Sequence, residues 1–216
     1  MSFSARQSEK VLGIDESGKG DFFGPLVIAG VLTDEKGALV LQRAGVRDSK
    51  KITDKKVMEL AVWIEGNFTH SIVTIGPEKY NQLYSKIGNL NKLLAWGHSR
   101  IIENIANDNI IDLAISDKFG RADFIERALM EKGKQVKLLQ KVRAESIPQV
   151  AAASILARAG FIQYMEKLSR QFNMGLPKGA GELVDKAAGL FAANYGIDAL
   201  NKVAKIHFRN FKKVSG

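Results

Sequence analysis

The sequence predicts an α/β protein in which a mixed β-sheet is flanked by helices. Two apolar runs, residues 11–15 and 26–32, lie close enough in the chain to pair as a hairpin. Strand-like segments at 68–75, 110–115 and 136–142 then alternate with segments of helical periodicity. Strands that alternate with helices after an initial hairpin are typical of a layered sheet and not of a helical bundle or a β-sandwich.

The first half of the chain carries clear helix boundaries. Thr53 is a predicted N-cap for a helix with apolar residues at helical spacing, and this helix ends near residues 66–67. A second helical region begins at 76–77 and is interrupted near Gly88. Asn89 then starts a further helix, so the sequence predicts two consecutive helices with a glycine between them.

The second half repeats the alternation of strand and helix. The strand at 110–115 leads directly into Asp117, and the strand at 136–142 precedes a long helix. We expect Ser146 to begin this helix, because Ser146 and Gln149 have the spacing of a capping box. The remaining chain contains a glycine-broken segment at 174–181, a helix near 182–194 and a basic tail.

Length and composition favour a single domain. The 216 residues are 45% hydrophobic, which is enough apolar material for one core. We expect this domain to cover residues 1–216, with a polar lead at 1–10 and a basic tail at 202–216. No apolar run approaches the roughly 20 residues that span a bilayer, and the absence of cysteine is typical of reducing compartments. We therefore expect a soluble, cytoplasmic protein, most simply a monomer.

The charge of the chain suggests a polyanionic partner. The formal net charge is +9, although summed charge does not say where the charges lie. Cations recur at Lys19, Lys50 and Lys178, within loops that contain glycines or other polar residues. The tail segment 205–213 alternates bases with aromatic residues, which fits either contact with a nucleic acid or a solvated amphipathic terminus.

The segment between the first two strands resembles a phosphate-binding loop but fails its requirements. Residues 13–19 have the Gly-x4-Gly-Lys spacing of a Walker A loop. However, Gly20 stands where that loop needs a hydroxyl, and Asp15 and Glu16 would bring two negative charges against the phosphates. The glycine spacing also fails the dinucleotide-binding fingerprint.

A metal site explains the adjacent carboxylates better than a phosphate loop does. Hard divalent cations such as Mg²⁺ take oxygen ligands, often several carboxylates. Consecutive strand residues face opposite ways, so Asp15 and Glu16 share a metal site only if the strand ends or bends there. We expect the glycine turn to provide that bend. The alternative, in which both acids are solvated turn residues, stays open on local grounds.

Two further acids also lie at predicted element ends. Asp117 follows a buried strand, which is where open α/β sheets place their ligands, although a simple turn aspartate fits equally well. Glu145 lies just before a helix, where its ordinary role is a favourable charge near the helix N-terminus. If Asp15, Glu16, Asp117 and Glu145 converge on one sheet edge, the cluster suits two-metal phosphoryl transfer.

Other catalytic arrangements have little support. His70, His98 and His207 are scattered without metal-ligand spacing, so we expect ordinary core or surface roles for them. The nucleophile elbow of serine hydrolases, Gly-x-Ser-x-Gly, does not occur in the chain.

Several ordered motifs resemble the type 2 ribonuclease H family, and within it the ribonuclease HIII group. The resemblance covers nearly the whole chain. The matching segments are Gly13-Ile-Asp-Glu-Ser-Gly-Lys-Gly-Asp21, Phe23-Gly-Pro25, Asp48-Ser-Lys-Lys51, Gly88-Asn-Leu-Asn-Lys-Leu-Leu-Ala-Trp-Gly-His98, Ser116-Asp-Lys118, Ala144-Glu-Ser146, Ala151-Ala-Ala-Ser-Ile-Leu-Ala157, Leu176-Pro-Lys-Gly-Ala-Gly181 and Val203-Ala-Lys-Ile-His-Phe208.

The resemblance implies a ribonuclease H-like fold and endonucleolytic cleavage of the RNA strand of RNA/DNA hybrids, leaving 5′-phosphate and 3′-hydroxyl ends. It implies catalysis with Mg²⁺ or Mn²⁺, one ion activating water and the other stabilising the leaving oxygen. The implied catalytic and metal-binding residues are Asp15, Glu16, Asp117 and Glu145. The implied substrate-binding residues are Gly18, Lys19, Gly20, Asp48, Ser49, Lys50, Asn89, Asn91 and Lys178.

Some features depart from the family pattern. Family members usually carry an N-terminal domain that resembles the TATA-binding protein, whereas only ten residues precede the first predicted strand, so we expect that domain to be lacking. The tyrosine with which the sister enzyme ribonuclease HII reads RNA–DNA junctions is not evident in residues 174–179. Cleavage at single ribonucleotides in duplex DNA, or binding without catalysis, are the alternatives to hybrid cleavage.

Overall fold

The computed structural model of the protein describes residues 8–117, 128 and 133–215. Within them, five strands form one sheet with the spatial order β3-β2-β1-β4-β5. β1 pairs antiparallel with β2 and parallel with β4, which confirms the predicted mixed sheet. The strands are β1 (Val11–Ser17), β2 (Leu26–Thr33), β3 (Thr69–Ile75), β4 (Leu113–Asp117) and β5 (Lys137–Lys141).

The helices confirm most of the predicted boundaries. The Thr53 side chain accepts a hydrogen bond from Lys56 N at 3.3 Å, and Gly88 separates two helices with a left-handed φ of 64°. The α-helices of the described residues are α1 (Glu35–Arg43), α2 (Asp54–Asn67), α3 (Pro77–Ile87), α4 (Leu90–Ala106), α5 (Pro148–Gln171), α6 (Glu182–Tyr195) and α7 (Arg209–Ser215).

The predicted capping box at Ser146 is wrong. Ile147 is the N-cap of α5, and it offers no side-chain hydrogen bond to the first turn. Ser146 lies instead in a 3-10 turn, where its Oγ donates to the Arg143 carbonyl at 3.2 Å. Pro148 takes the first helical position because its missing N–H has no helical partner there.

The sheet is covered on both faces, and the side chains of β1 alternate between the two layers. Leu12 and Ile14 are buried in the cluster formed with α3 and α4. Gly13 faces the other way, where α5 approaches so closely that an added Cβ would lie 2.2 Å from the Gln149 carbonyl carbon. Because side chains alternate along a strand, Asp15 belongs to the α5 face and Glu16 to the α4 face.

The expectation that the basic tail contacts nucleic acid or is solvated is wrong for Lys205. Lys205 is fully buried, and its Nζ donates to the carbonyls of Asp21 and Gly24, each at 2.8 Å. Burial lowers the pKa of the Lys205 ammonium to about 7. Asn210 is also buried and donates to Asp185 Oδ1 at 2.6 Å. This segment therefore holds the loop after β1 and packs against α6.

The described residues contain no helix that could cross a membrane. None of their helices combines the length and the apolar character that a bilayer span requires.

Candidate active site

An acidic cleft of about 600 Å³ opens where β1 and β4 end. Three of the four predicted catalytic acids line it, together with most of the predicted substrate-binding residues. The lining residues are Asp15, Glu16, Ser17, Gly18, Lys19, Gly20, Asp21, Ser49, Lys50, Asp117, Ser154, Arg158 and Lys178.

The parallel pairing of β1 and β4 brings Asp15 and Asp117 together. The last paired residues are Ile14 and Ser116, so each aspartate stands one residue beyond the pairing on adjacent strands. Neighbouring strands lie about 4.8 Å apart, and residues at the same level point to the same face of the sheet. Asp117 Oδ1 also accepts a hydrogen bond from Ala144 N at 3.3 Å, which ties β4 to the turn that carries Glu145.

Asp15 lies in an environment that disfavours its charge. Burial and the adjacent Glu16 carboxylate raise its pKa to about 7. Hydrogen bonds from Glu16 N, at 2.9 Å, and from the Ser154 hydroxyl oppose this rise, as does the charge of Lys50. Since these contacts do not restore an ordinary aspartate pKa, the site favours a proton or another cation at Asp15.

Glu16 lies in the opposite electrostatic situation. Burial raises its pKa, but hydrogen bonds and positive charge from His98 and Lys19 outweigh burial, so the pKa is lowered. His98 Nε2 donates to Glu16 Oε2 at 3.2 Å from a side chain that is fully buried in α4. Lys19 Nζ donates to Glu16 Oε1 at 3.5 Å. The protein itself therefore supplies the hydrogen-bond donors and the positive charge that keep Glu16 ionised.

The bend predicted between Asp15 and Glu16 is wrong. β1 continues in regular pairing with β2 through Ser17, which lies opposite Val27. The two carboxylates leave the strand on opposite faces, and both reach the cleft because it opens at the sheet edge.

Glu145 does not line the acidic cleft. It lines the neighbouring arginine cleft, a cavity of about 580 Å³ that we name for Arg47 and Arg143 in its wall. Its Oε2 is buried and has no hydrogen-bond partner among the described residues. Because buried carboxylate oxygens are normally paired, this atom has the chemistry of a vacant ligand oxygen.

The carboxylates suit a hard cation in type but are not preformed into a compact metal site. Four oxygen-donor side chains surround the ends of β1 and β4, which is the donor chemistry that Mg²⁺ and Mn²⁺ take. Among the described residues, however, no three carboxylates or imidazoles lie close enough together to hold one ion. In chemical type the donor set fits a divalent metal.

The glycines of the loop after β1 have different roles. Gly18 has a φ of +87°, and an added Cβ would meet the Pro25 carbonyl oxygen at 2.1 Å, so the fold itself requires glycine. Gly20 is exposed, and an added Cβ would meet no atom within 4 Å. The fold therefore does not require glycine at position 20, and Gly20 lines the cleft.

Arg158 builds the wall opposite this loop. From the middle of α5 it donates to the Ser49 carbonyl, to the Ile52 carbonyl at 3.3 Å and to Asp54 Oδ1 at 2.5 Å. Lys178 Nζ donates to the other Asp54 oxygen at 2.8 Å. Arg158 therefore fixes the 3-10 turn that carries the predicted substrate-binding residues.

Three predicted substrate-binding residues lie outside the acidic cleft. Asp48 lines the arginine cleft and caps the 3-10 turn by accepting from Lys50 N at 3.0 Å. Asn89 caps α4 by accepting from Lys92 N at 3.1 Å. Asn89 and Asn91 line neither cleft, so their substrate contacts stay predictions.

Two residues at the site were missed in the sequence. His98 was assigned an ordinary role, and its helical spacing from Leu94 and Ile102 indicates only a buried face of α4. Arg158 interrupts an alanine-rich helix, and this isolated charge among small apolar residues was a usable signal. Neither pattern says which strand or turn the side chain meets.

Comparison with known proteins shows the family of the chain. The family model described as Ribonuclease HII matches residues 12–211. The chain is 45% identical over 206 residues to a protein named Ribonuclease HIII from Chlamydia pneumoniae, covering 94% of this chain and 69% of the relative. A relative of the same name from Protochlamydia amoebophila is 42% identical, with coverage of 95% and 68%.

Solved structures share the fold. The crystal structure of Bst-RNase HIII in complex with Mn²⁺ matches with a TM-score of 0.88 and 31% identity, covering 98% of this chain and 70% of that chain. Aquifex aeolicus RNase H3 matches with a TM-score of 0.76 and 29% identity, with coverage of 93% and 72%. These findings confirm the ribonuclease H-like fold and the resemblance to ribonuclease HIII, and the chain belongs to the ribonuclease HII family.

Proposed function

We propose that this protein is an endoribonuclease that hydrolyses the RNA strand of RNA/DNA hybrids and leaves 5′-phosphate and 3′-hydroxyl ends. One observation carries the proposal: a cleft whose floor holds Asp15, Glu16 and Asp117 is rimmed by Lys19, Lys50 and other cations. A floor of acids suits metal ions, and a rim of cations suits the phosphates of a nucleic acid. The ribonuclease HIII relatives support the same activity.

Divalent Mg²⁺ or Mn²⁺ is the cofactor that this donor set fits. Asp15, Glu16, Asp117 and Glu145 are the residues that we assign to hold it. When bound at such a site, divalent ions lower the pKa of water and stabilise the charge that develops on the leaving oxygen.

The side chains of the protein have distinct tasks in this reaction. Asp15, whose pKa burial and Glu16 raise to about 7, would serve as a ligand of the divalent ion. His98 holds Glu16 in its ionised form and in one orientation. Lys50 is exposed beside Asp15, where its ammonium can bind a phosphate oxygen. No side chain of the site needs to act as a strong general base.

The loop of Gly18, Lys19 and Gly20 is assigned to read the RNA strand. The open space over Gly20 allows a sugar to approach the backbone closely. Hydrogen bonds to the 2′-hydroxyl distinguish RNA from DNA at such a contact. Lys205 and Asp21 hold the far end of this loop, because Asp21 Oδ1 accepts from Gly179 N at 2.6 Å and its carbonyl accepts from Lys205.

Cleavage products test the proposal. The protein is incubated in Mg²⁺ or Mn²⁺ with a continuous RNA/DNA hybrid, with a DNA duplex that holds a single ribonucleotide, and with single-stranded RNA. We expect cleavage of the hybrid. The new 5′ ends should carry a phosphate, so they should accept a labelled phosphate only after phosphatase has removed the original one. Preferred cleavage of the single-ribonucleotide duplex would support the ribonuclease HII-like alternative, and no cleavage of any substrate would refute the assignment. A monomeric state and a cytoplasmic location stay predictions from the sequence.

A further inference from the structure

The arginine cleft has no task in the function proposed above beyond its Glu145. Arg47, Lys51 and Arg143 stand in its wall, and all three side chains are exposed. In the described part of the chain, none of the three forms an ion pair. By contrast, Arg158 and Lys178 at the acidic cleft share Asp54. Three unpaired cations around one cavity are an arrangement suited to an anionic ligand.

Arg143 adopts a backbone conformation that side chains rarely take. Its φ of 58° and ψ of 44° lie in the left-handed region, which among described non-glycine residues is otherwise approached only by Asn173. The peptide group that follows Arg143 is held at both of its polar atoms, because the Arg143 carbonyl accepts from Ser146 Oγ at 3.2 Å and Ala144 N donates to Asp117 Oδ1. Strained residues of this kind cluster at ligand-binding sites. The strain fixes Arg143 two residues before Glu145.

The two clefts lie side by side and share walls. The 3-10 turn Ser49–Lys51 is their common wall, since Ser49 and Lys50 line the acidic cleft while Lys51 lines the arginine cleft. On α5, Ala151 lines the arginine cleft and Ser154 the acidic cleft. These two residues are separated by about 4.5 Å along the helix axis, at 1.5 Å per residue. The clefts are therefore neighbours both along the 3-10 turn and along α5.

The helix N-terminus adds to the positive field of the arginine cleft. Pro148, the first residue of the 24-residue α5, lines the cavity. Its N-cap Ile147 supplies no side-chain acceptor to the first turn. The positive end of the helix dipole therefore faces the same space as the three cations.

We propose that the arginine cleft binds the phosphodiester adjacent to the scissile one on the cleaved strand, with Arg143 as its principal ligand. Consecutive phosphates on one strand are about 3.4 Å apart along the duplex axis, so they are the phosphates suited to two neighbouring clefts. Phosphates of the opposite strand lie across a groove and are farther away. The proposal rests on the proposed function, because it assumes a nucleic acid in the acidic cleft.

The experiment measures hybrid binding by the full chain with Arg143→Asn, chosen because asparagine tolerates the left-handed conformation. The Arg143→Asn variant and the reference protein with Arg143 both carry Asp15→Asn, so that no cleavage occurs during the titration. We expect Arg143→Asn to weaken binding by about 10-fold at low salt. We also expect the slope of log K against log salt concentration to fall by about 0.7–0.9 for one lost phosphate contact. The control is Arg170→Gln, at the far end of α5 and about 33 Å from Pro148 by the helical rise.

Neutral methylphosphonate linkages then locate the contact. One linkage at a time replaces a phosphate in the RNA strand, and a second series does so in the DNA strand. A neutral linkage next to the scissile phosphate in RNA should weaken binding when Arg143 is present and have no further effect in Arg143→Asn. Loss only for linkages in the DNA strand, or an unchanged salt slope in Arg143→Asn, would overturn the proposal. Cleavage of a hybrid by the unmodified protein tests the proposed function separately, since that function can stand while this contact fails.

Discussion

The two neighbouring carboxylates of β1 lie in opposite electrostatic environments. Asp15 faces α5, where burial and the Glu16 charge raise its pKa to about 7. Glu16 faces α4, where His98 and Lys19 outweigh burial and lower its pKa. The two residues are adjacent in sequence, yet each takes its environment from a different layer of the fold.

The cleft therefore holds one carboxyl group with a raised pKa and one with a lowered pKa. Glu16 is already compensated by donors and positive charge that belong to the protein. Asp15 is compensated only in part, because burial and Glu16 outweigh its hydrogen bonds and the charge of Lys50. The following predictions test this asymmetry.

Replacing Asp15 should have the largest effect. We expect Asp15→Asn to lower the cleavage rate by at least about 1,000-fold, because a ligand that stabilises the transition state is lost. The fold should stay intact, since asparagine removes a charge that burial opposes. Hybrid cleavage rates and thermal unfolding without metal are the measurements. Asp198→Asn, at an exposed position, is the matched control. Near-normal turnover in Asp15→Asn would exclude Asp15 as a catalytic metal ligand.

Replacing His98 should have an intermediate effect. His98→Ala leaves the Glu16 carboxylate without its buried partner, which typically costs about 3 kcal/mol of folding free energy. Residues that orient a metal ligand typically contribute about 10- to 100-fold to metal affinity or activity. We expect the Mn²⁺ concentration required for half-maximal rate to rise, as measured in rate titrations.

His98→Gln distinguishes orientation from packing. Its side-chain amide can donate to Glu16 Oε2 as the imidazole does, so we expect part of the metal affinity to return. If His98→Gln and His98→Ala require the same Mn²⁺ concentration, His98 serves the core alone.

The pH dependence of stability should separate the two acids further. The folded-state pKa of Asp15 is raised from 3.8 to about 7, so the protonated form favours folding. This contribution is fully present below pH 3.8 and is lost as the pH rises through about 7. Without metal, the stability of the wild type relative to Asp15→Asn should therefore decrease across this interval. Denaturant unfolding at several pH values measures the difference in free energy of unfolding between the wild type and Asp15→Asn. A difference that does not change with pH would contradict the raised pKa of Asp15.

Replacing Lys19 should have the smallest effect on the carboxylates. The Lys19 side chain is 39% exposed and lies 3.5 Å from Glu16, so water screens the pair. We expect Lys19→Gln to change the free energy of unfolding by less than about 0.5 kcal/mol. Denaturant unfolding of Lys19→Gln and of His98→Ala, each against the wild type, measures the two losses. A loss as large as that of His98→Ala would mean that the exposed lysine, and not the buried histidine, keeps Glu16 ionised.

Local patterns predicted the sheet and most helix boundaries, but not the site geometry. Thr53, Gly88 and Asn89 act through neighbours a few residues away, so their capping roles are visible in the sequence. Ser146 fails as a cap because the turn after β5 engages its hydroxyl first. Lys205 looked like part of a solvated basic segment, whereas contacts with residues far away in the chain bury it.

The sequence by itself determined the fold class, the family and the four acids at element ends, because strand alternation, turn residues and ordered motifs are local properties. Only the tertiary structure decided how those acids differ. It assigned Asp15 and Glu16 to opposite faces of an unbent strand, brought His98 from α4 to Glu16 and placed Glu145 in a second cleft. Charge and burial depend on packed neighbours, which no spacing along the chain specifies.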